Sequence, residues 1–327
     1  MNDTLSIILP AYNAEKTISR ALESIFSANI PLEIVLIDDG SVDDTRKICE
    51  KYAKEHPQIK FFSQENKGPG AARNKGLKEA GGAYIGFMDA DDCYDAKVLE
   101  KAWKVLCEDK AGAVCMGIRM IPESSFPDGP GKILYEEDED NIISGREAFR
   151  RMLDGDGLDS NTYAKFYRRD LMPEDLHFYE GMLGDDIPVT YRMLLAAKTV
   201  YMMKDVGYLY CVDESSDSLS GVRFKPYFFD MTDRAKELFV MVQRDFPEYR
   251  GEAAGFYLDL VLQCVERLMA GSAEDLEKYQ KQLMDLFREL ENNKEDFNNT
   301  KHISRRRKLE FKLFLASVKA NSDLKKQ

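Results

Sequence analysis

Three carboxylates crowd one stretch of this 327-residue chain: Asp89, Asp91 and Asp92, directly after the run Tyr84-Ile-Gly-Phe-Met88. Packed so closely, they repel one another unless a cation sits among them. Hard oxygen donors suit Mg²⁺ or Mn²⁺, which take one or two protein carboxylates and complete the shell with water and phosphate oxygens. The run before them is apolar or small and preceded by Gly81 and Gly82. That is the pattern of a strand buried on both faces of a parallel sheet. In such sheets ligands bind in the crevice beyond the carboxyl ends of the strands, where Asp89 and Asp91 could meet a bound phosphate. A solvated acidic loop, or a helix cap by Asp92 or Asp95, would use the same residues.

The elements that must hold this acid come earlier in the chain. Leu5 to Leu9 reads as a strand ended by Pro10, and Ala11 to Glu15 turns into a helix with Ala21, Leu22, Ile25 and Phe26 on its apolar side. Glu33 to Ile37 is a second strand ending in acid, Asp38-Asp39-Gly-Ser41, and Asp43-Asp44 opens the next helix. Ile59 to Phe62 is a third strand. The loop Glu65 to Gly70 and a short helix carrying Arg73 then lead back to the Tyr84 strand. This alternation predicts an α/β fold with a mostly parallel, doubly wound sheet and right-handed crossovers. No Gly-x-Gly-x-x-Gly follows the first strand and no Gly-Lys-Ser/Thr occurs, so neither a dinucleotide site nor a P-loop is expected. A metal on Asp89 and Asp91 is the device left for phosphate.

Further on, helices are expected over Lys97–Glu108 and Gly145–Leu153 (capped by Ser144). Strands are expected over Gly112–Met120, Tyr163–Arg169, Thr199–Met203 and Val206–Cys211, with a long loop over Ile121–Ile143. Asp185-Asp186 opens an amphipathic helix. After Ser220 the pattern turns helical over Tyr227–Arg244, Glu252–Met269 and Ala273–Leu290. The expected division is a domain over 1–222 and a helical region with a basic tail over 223–327. The net charge is −12, yet the last 27 residues carry nine basic and two acidic side chains. An acidic body speaks against nucleic-acid binding. In the tail, Arg305 to Lys308, Lys312 and Lys319 interleave with Leu309, Phe311, Leu313, Phe314 and Val318. Such a helix suits either peripheral contact with an anionic membrane surface or docking on the acidic body. The six cysteines lack metal-ligand spacing and read as reduced thiols of a cytoplasmic protein. No apolar run nears the roughly 18 residues of a membrane span.

Four blocks stand in order: Leu9-Pro-Ala-Tyr-Asn-Ala-Glu15, Ile37-Asp-Asp-Gly-Ser41, Asn66-Lys-Gly-Pro-Gly-Ala-Ala-Arg-Asn74 and Phe87-Met-Asp-Ala-Asp-Asp92. Together, over roughly Leu5 to Ser220, the chain resembles the family 2 glycosyltransferases of the GT-A fold. The resemblance implies a nucleotide-sugar donor, such as a UDP-sugar, across the carboxyl ends of the first strands. Pro10, Ala11, Tyr12, Asn13, Glu15, Asp39, Arg73, Asp89 and Ala90 would line it. Asp39 would contact the base, and Asp89 with Asp91 would hold Mn²⁺ or Mg²⁺ on the diphosphate. Asp185-Asp186 matches the family's Glu-Asp pair, with Asp186 as the general base of an inverting transfer. Helix capping by Asp185 would use the same place in sequence. Lys165 and Tyr167-Arg168 match a further segment, with Ala164 where Asn is usual, and Cys211 stands where an Arg is often found.

The Gln-x-x-Arg-Trp motif of processive synthases is missing. The resemblance therefore implies single transfer of a hexosyl or N-acetylhexosaminyl group to a glycan or lipid-linked acceptor, as in capsule, wall or other surface polysaccharide synthesis. A nucleotidyltransferase would want a Gly-rich, basic loop where Ala11 to Glu15 stands. A non-catalytic nucleotide-sugar or metal-binding protein would have no use for Asp186.

Overall fold

The computed structural model describes residues 3–182, 184–212 and 224–324, with side chains to residue 316 in the last helix. Two compact units emerge, Met1–Glu214 and Ser215–Gln327.

In the first unit the strands β1 (Leu5–Ala11), β2 (Leu32–Asp38), β3 (Ile59–Ser63) and β4 (Tyr84–Phe87) alternate with helices α1 (Ile18–Phe26), α2 (Thr45–Glu55) and α3 (Pro69–Glu79). They pair in parallel in the order β3-β2-β1-β4. Register explains the gathering of acid at one edge. Ala11 lies opposite Asp38, and Phe87 lies opposite Ile8, so Asp89 emerges beside Pro10. The hydrophobic run predicts this: Leu5, Ile7, Ile8 and Leu9 are all inaccessible to solvent, and each such side chain contributes about 1.5–3 kcal/mol by leaving water. On α1, Ile18, Ala21, Leu22 and Ile25 recur at helical spacing and are buried.

Beyond β4 the sheet becomes mixed. After the short β5 (Cys93–Tyr94) and α4 (Ala96–Cys107) come β6 (Ala113–Pro122), β7 (Lys132–Tyr135), β8 (Asn141–Ser144), α5 (Gly145–Asp154) and β9 (Lys165–Arg168). β9 inserts antiparallel between β4 and β6. Gly86 permits this approach, because a Cβ there would meet the Phe166 ring at 2.4 Å. α6 (Asp186–Ala196) and β10 (Thr199–Val212) complete the unit. β10 runs parallel to β6 and antiparallel to β5 and β8, giving the order β3-β2-β1-β4-β9-β6-β10-β5.

Three local expectations change. The stretch expected as a long loop over Ile121–Ile143 contains β7 and most of β8. The two strands expected over Thr199–Cys211 are one strand whose register slips between Met202 and Val206. The expected helix Ala273–Leu290 is two, α9 (Ala273–Lys278) and α10 (Gln280–Asn292), parted at Tyr279.

The elements of the second unit among its described residues are all helices. It comprises α7 (Tyr227–Asp245), α8 (Arg250–Met269), α9, α10, α11 (Lys294–Asn299) and α12 (Arg305–Leu324). Tyr257, Phe239, Phe297 and Phe311 meet in an aromatic core. The basic tail helix α12 thus inserts Phe311, 1% exposed, into its own unit. Its Arg307 pairs with Asp259 and Glu266 of α8. Val318 and Lys319 lie outside the described side chains. No helix among the described residues is long and apolar enough to cross a membrane.

Candidate active site

Past the ends of β1 and β2, side chains of each loop take up backbone groups of the other. The Asn13 N–H donates to Ser41 Oγ at 3.1 Å, and the Asn13 side chain accepts from the Val42 N–H at 3.0 Å. The Glu15 carboxylate accepts from the Asp44 N–H at 3.0 Å. Asn13 and Glu15 therefore stitch the two strand-end loops together, while Tyr12 is half exposed above them. Ala11 and Ala90 are buried, and Pro10 precedes Ala11 at the end of β1, opposite Ile37 of β2.

Asp38 and Asp39 are both buried. Asp38 accepts from the Ser41 N–H at 3.1 Å and the Ser63 hydroxyl at 3.0 Å. Asp39 accepts from Gln64 Nε2 at 2.8 Å, the Lys67 N–H at 3.1 Å and the Gly68 N–H at 2.9 Å. The second carboxylate thereby fixes the loop that starts α3. A carboxylate has about four acceptor positions, and three of those on Asp39 are occupied by this loop.

That loop leads into α3, which sets Arg73 among the carboxylates at this edge of the sheet. Arg73 is 6% exposed, with Nη2 2.9 Å from Asp89 Oδ1 and Nη1 3.5 Å from both Asp185 Oδ2 and Asp186 Oδ1. Burial disfavours its charge, but Asp186, Asp89 and Asp185 outweigh that and hold the guanidinium firmly protonated. The turn before α6 packs tightly on α3. At Gly70 any Cβ would meet the Tyr179 carbonyl oxygen at 2.4 Å and Asp185 Oδ2 at 2.8 Å.

The acidic triplet divides its labour. Asp92 is fully buried, accepting from the Tyr208 hydroxyl at 2.5 Å and the Cys211 N–H at 2.7 Å. Burial, with Asp91 and Asp89 nearby, pushes its carboxyl well up. The helix after it is capped by Asp95, which accepts from the N–H groups of Lys97 and Val98. The Tyr208 hydroxyl also accepts from the Asp89 N–H at 3.3 Å, so Asp92 and Tyr208 anchor the turn that presents Asp89 and Asp91. Arg20 closes the other side, donating to the Asp91 carbonyl at 2.9 Å. It lies 3.5 Å from Cys211 Sγ and stacks over Phe126. Asp91 has an open face but is otherwise ringed by protein. That desolvation, with Asp89 beside it, pushes its carboxyl up to about 6. Among the described residues no side chain pairs with the Asp91 carboxylate. Two hard-oxygen donors, one unpaired and both at a strand end, fit a divalent cation.

Asp185 and Asp186 differ in access. Asp185 is 2% exposed, and its side chain makes no capping bond to α6, facing Arg73 instead. Capping by Asp185 is thus not realised. Burial, then the Asp186 charge, push Asp185 up to about 7 against the pull of Arg73. The Asp186 side chain keeps 19% exposure and accepts from Thr162 Oγ1 at 3.0 Å. Burial raises its carboxyl and Arg73 opposes the rise. Lys165 is buried and paired with Asp159 at 2.6 Å, away from any open surface. Thr162 and Arg20 went unnoticed in sequence, and Tyr208 had no role beyond opening the segment that ends at Cys211 and Val212, because each meets the site through a contact distant along the chain.

The sequence model described as Glycosyl transferase family 2 matches residues 6–174, just over half of the chain. This chain belongs to glycosyl transferase family 2. The chain is 29% identical over 246 residues to Glycosyltransferase GlyA of Streptococcus pneumoniae serotype 4, covering 72% of this chain and 34% of that protein. It is 26% identical over 235 residues to the poly(ribitol-phosphate) beta-N-acetylglucosaminyltransferase TarS of Staphylococcus aureus, covering 68% of this chain and 38% of TarS. This family 2 chain thus spans about a third of the length of these curated relatives. The crystal structure of S. aureus TarS 1-349 in complex with UDP-GlcNAc superposes with a TM-score of 0.65 at 21% identity, over 87% of this chain and 80% of that one. The mannosyltransferase PcManGT of Pyrobaculum calidifontis, solved with GDP-Man and Mn²⁺, gives a TM-score of 0.53 at 18% identity, over 96% and 87%. The fold is therefore GT-A, as the sequence blocks imply.

Proposed function

We propose that this chain transfers one hexosyl or N-acetylhexosaminyl group, from a UDP-sugar, to a hydroxyl of a glycan or lipid-linked acceptor in surface polysaccharide synthesis, with inversion. The observation that carries the reading is the position of Arg73, bonded to Asp89 on one side and in reach of Asp185 and Asp186 on the other. A donor-side acid and a solvent-reaching carboxylate are thus held on opposite sides of one cation.

The roles follow from charge. Asp39, Tyr12 and the stitched loops of Asn13 and Glu15 would receive the nucleoside. Asp89 and Asp91 would hold Mn²⁺ or Mg²⁺, which when bound offsets the charge gained by the departing diphosphate. Asp186 would take the proton of the acceptor hydroxyl as that oxygen bonds to the anomeric carbon. The bond from that carbon to the diphosphate breaks, and its electron pair leaves with the nucleoside diphosphate. A single base on the face opposite the leaving group gives inversion. The solved relatives support donor and metal of this kind, one carrying UDP-GlcNAc and another GDP-Man with Mn²⁺.

The same reading places the work at the inner face of a membrane. On α12, Leu309 and Leu313 are 57% and 60% exposed, and Arg305, Arg306 and Lys312 are exposed too. Such a stripe would meet anionic lipid while Phe311 keeps the helix docked. The deciding experiment is a donor screen with Mn²⁺, comparing UDP-GlcNAc, UDP-glucose, UDP-galactose and GDP-mannose by thermal stabilisation and release of nucleoside diphosphate. Stabilisation and turnover with a UDP-sugar are expected. Stabilisation without any turnover would leave a binding protein.

A further inference from the structure

We infer that Thr162 is a positioning residue that fixes one oxygen of Asp186 and leaves the other, Oδ2, as the atom that takes the acceptor's proton. The inference rests on Asp186 being the base.

Thr162 Oγ1 donates to Asp186 Oδ1 at 3.0 Å, and Arg73 Nη1 lies 3.5 Å from the same oxygen. Both partners engage Oδ1. Thr162 itself is 1% exposed, so its hydroxyl gains nothing from water and depends on this bond.

The loop behind it is built to hold that geometry. Lys165, also 1% exposed, sends Nζ to Asp159 Oδ1 at 2.6 Å and to the Asn161 carbonyl at 2.8 Å. Asn161 Nδ2 in turn donates to Asp159 Oδ2 and to the Tyr163 hydroxyl, both at 2.8 Å. Thr162 thus sits between two residues tied to one buried lysine. Tyr163 stacks flat on Tyr208, with centroids 4.7 Å apart and planes within 3°. Tyr208 is the residue whose hydroxyl meets Asp92 and the Asp89 N–H. The base and the acidic turn therefore share one rigid support. Ala164 takes φ +58° to make the turn into β9, a conformation costly for a residue with a Cβ that the surrounding contacts impose.

A carboxylate free to rotate would offer either oxygen, at the wrong angle for much of the time. Holding Oδ1 removes that freedom before the acceptor arrives. Thr162→Val keeps the shape and removes the donor.

The test uses the full chain, Mn²⁺ and whichever of UDP-GlcNAc, UDP-glucose or UDP-galactose the wild type turns over fastest. Turnover is measured beside UDP affinity by calorimetry. Thr162→Val should lower kcat by about 10- to 100-fold, the worth of a hydrogen bond to a charged group, with UDP affinity unchanged. Thr162→Ser should restore most of the loss. In an Asp186→Asn background, Thr162→Val should cost little more, because the two act as one unit. If valine prevents folding, Thr162→Ala against Thr162→Ser makes the same comparison. Normal turnover in Asp186→Asn would remove the base assignment, and Thr162 with it. An inactive Asp186→Asn beside an unchanged Thr162→Val would overturn Thr162 alone. A loss that serine does not restore, or one accompanied by lost UDP affinity, would reduce Thr162 to a packing residue.

Discussion

Arg73 Nη2 stands 2.9 Å from Asp89 Oδ1, and the same guanidinium reaches Asp185 and Asp186 through Nη1. One buried cation therefore neutralises acid from the end of β4 and from the start of α6. Removing it leaves three carboxylates facing one another in a desolvated place. Arg73→Met should destabilise the protein by about 3–5 kcal/mol, the usual cost of a buried charge left without its partner, and abolish turnover. Arg73→Lys keeps the charge but not the planar fork that meets several partners at once. It should recover part of the stability and little turnover. Urea denaturation beside turnover reads both, and full stability in the methionine variant would contradict the bridging role.

Asp91 carries the metal prediction. No side chain pairs with its carboxylate among the described residues, while Asp89 is shared with Arg73. EDTA should abolish sugar transfer, and Mn²⁺ or Mg²⁺ should restore it. Asp91→Asn should lose turnover with its melting temperature at or above that of the wild type, because a carboxyl that burial raises is relieved by the amide. Full activity in excess chelator would sink the assignment.

What could be read in advance has a physical pattern. Asp89, Asp91 and Asp38-Asp39 were legible because each ends a continuous apolar run, and the end of a buried strand is a local feature. The parallel half of the sheet was legible for the same reason. β7 and β8 were not, since Lys132–Tyr135 and Asn141–Ser144 hold few residues and are largely exposed. Thr162 was hidden because its partner lies 24 residues on, and Tyr208 because it meets Asp89 and Asp92 from 119 and 116 residues away. Ala164 is instructive. The resemblance leads one to expect Asn there, and the positive φ supplies the reason, since Asn tolerates the left-handed region better than alanine does.

Asp185 makes stability depend on pH. Burial and Asp186 raise its carboxyl to about 7, against about 3.9 in an unfolded chain. Between these values the folded protein keeps a proton that the unfolded chain has released. The contribution is fully present below about pH 4 and is lost as pH rises through about 7. Asp185→Asn fixes the neutral form. It should match the wild type near pH 4 and exceed it by about 1–3 kcal/mol near pH 8. Denaturation at both pH values decides the matter, and a gain of equal size at each would point to packing instead of ionisation.

The tail tests the lipid contact. Arg307 is committed to Asp259 and Glu266, and Arg306 pairs with Glu310 at 2.7 Å. Among the described side chains of α12 the exposed cations for a surface are therefore Arg305, Lys312 and, once it gives up Glu310, Arg306, each contributing about 1 kcal/mol near anionic lipid. Changing Leu309 and Leu313 to Ser, with Arg305 and Arg306 to Gln, leaves Phe311 and Arg307 in place. These changes should abolish flotation with phosphatidylserine vesicles without altering the melting temperature. Flotation that persists would place the contact elsewhere.

Asp186 separates an enzyme from a protein that merely binds nucleotide sugar. A base acts on the acceptor in the chemical step, so its loss should spare donor binding. Asp186→Asn retains size and removes the proton acceptor. Turnover should fall by about 10²- to 10⁴-fold, the range typical of general-base catalysis, while UDP affinity in Mn²⁺ stays near that of the wild type. Asp185→Asn should cost less, because Asp185 is sealed beneath Arg73 and cannot touch an acceptor. The pH profile adds a second reading. Burial raises the Asp186 carboxyl, so kcat should fall with decreasing pH through a value above the ordinary aspartate range, and that limb should vanish in the asparagine variant. A variant that loses UDP affinity as well would move Asp186 into the donor site and leave the inverting mechanism without its base.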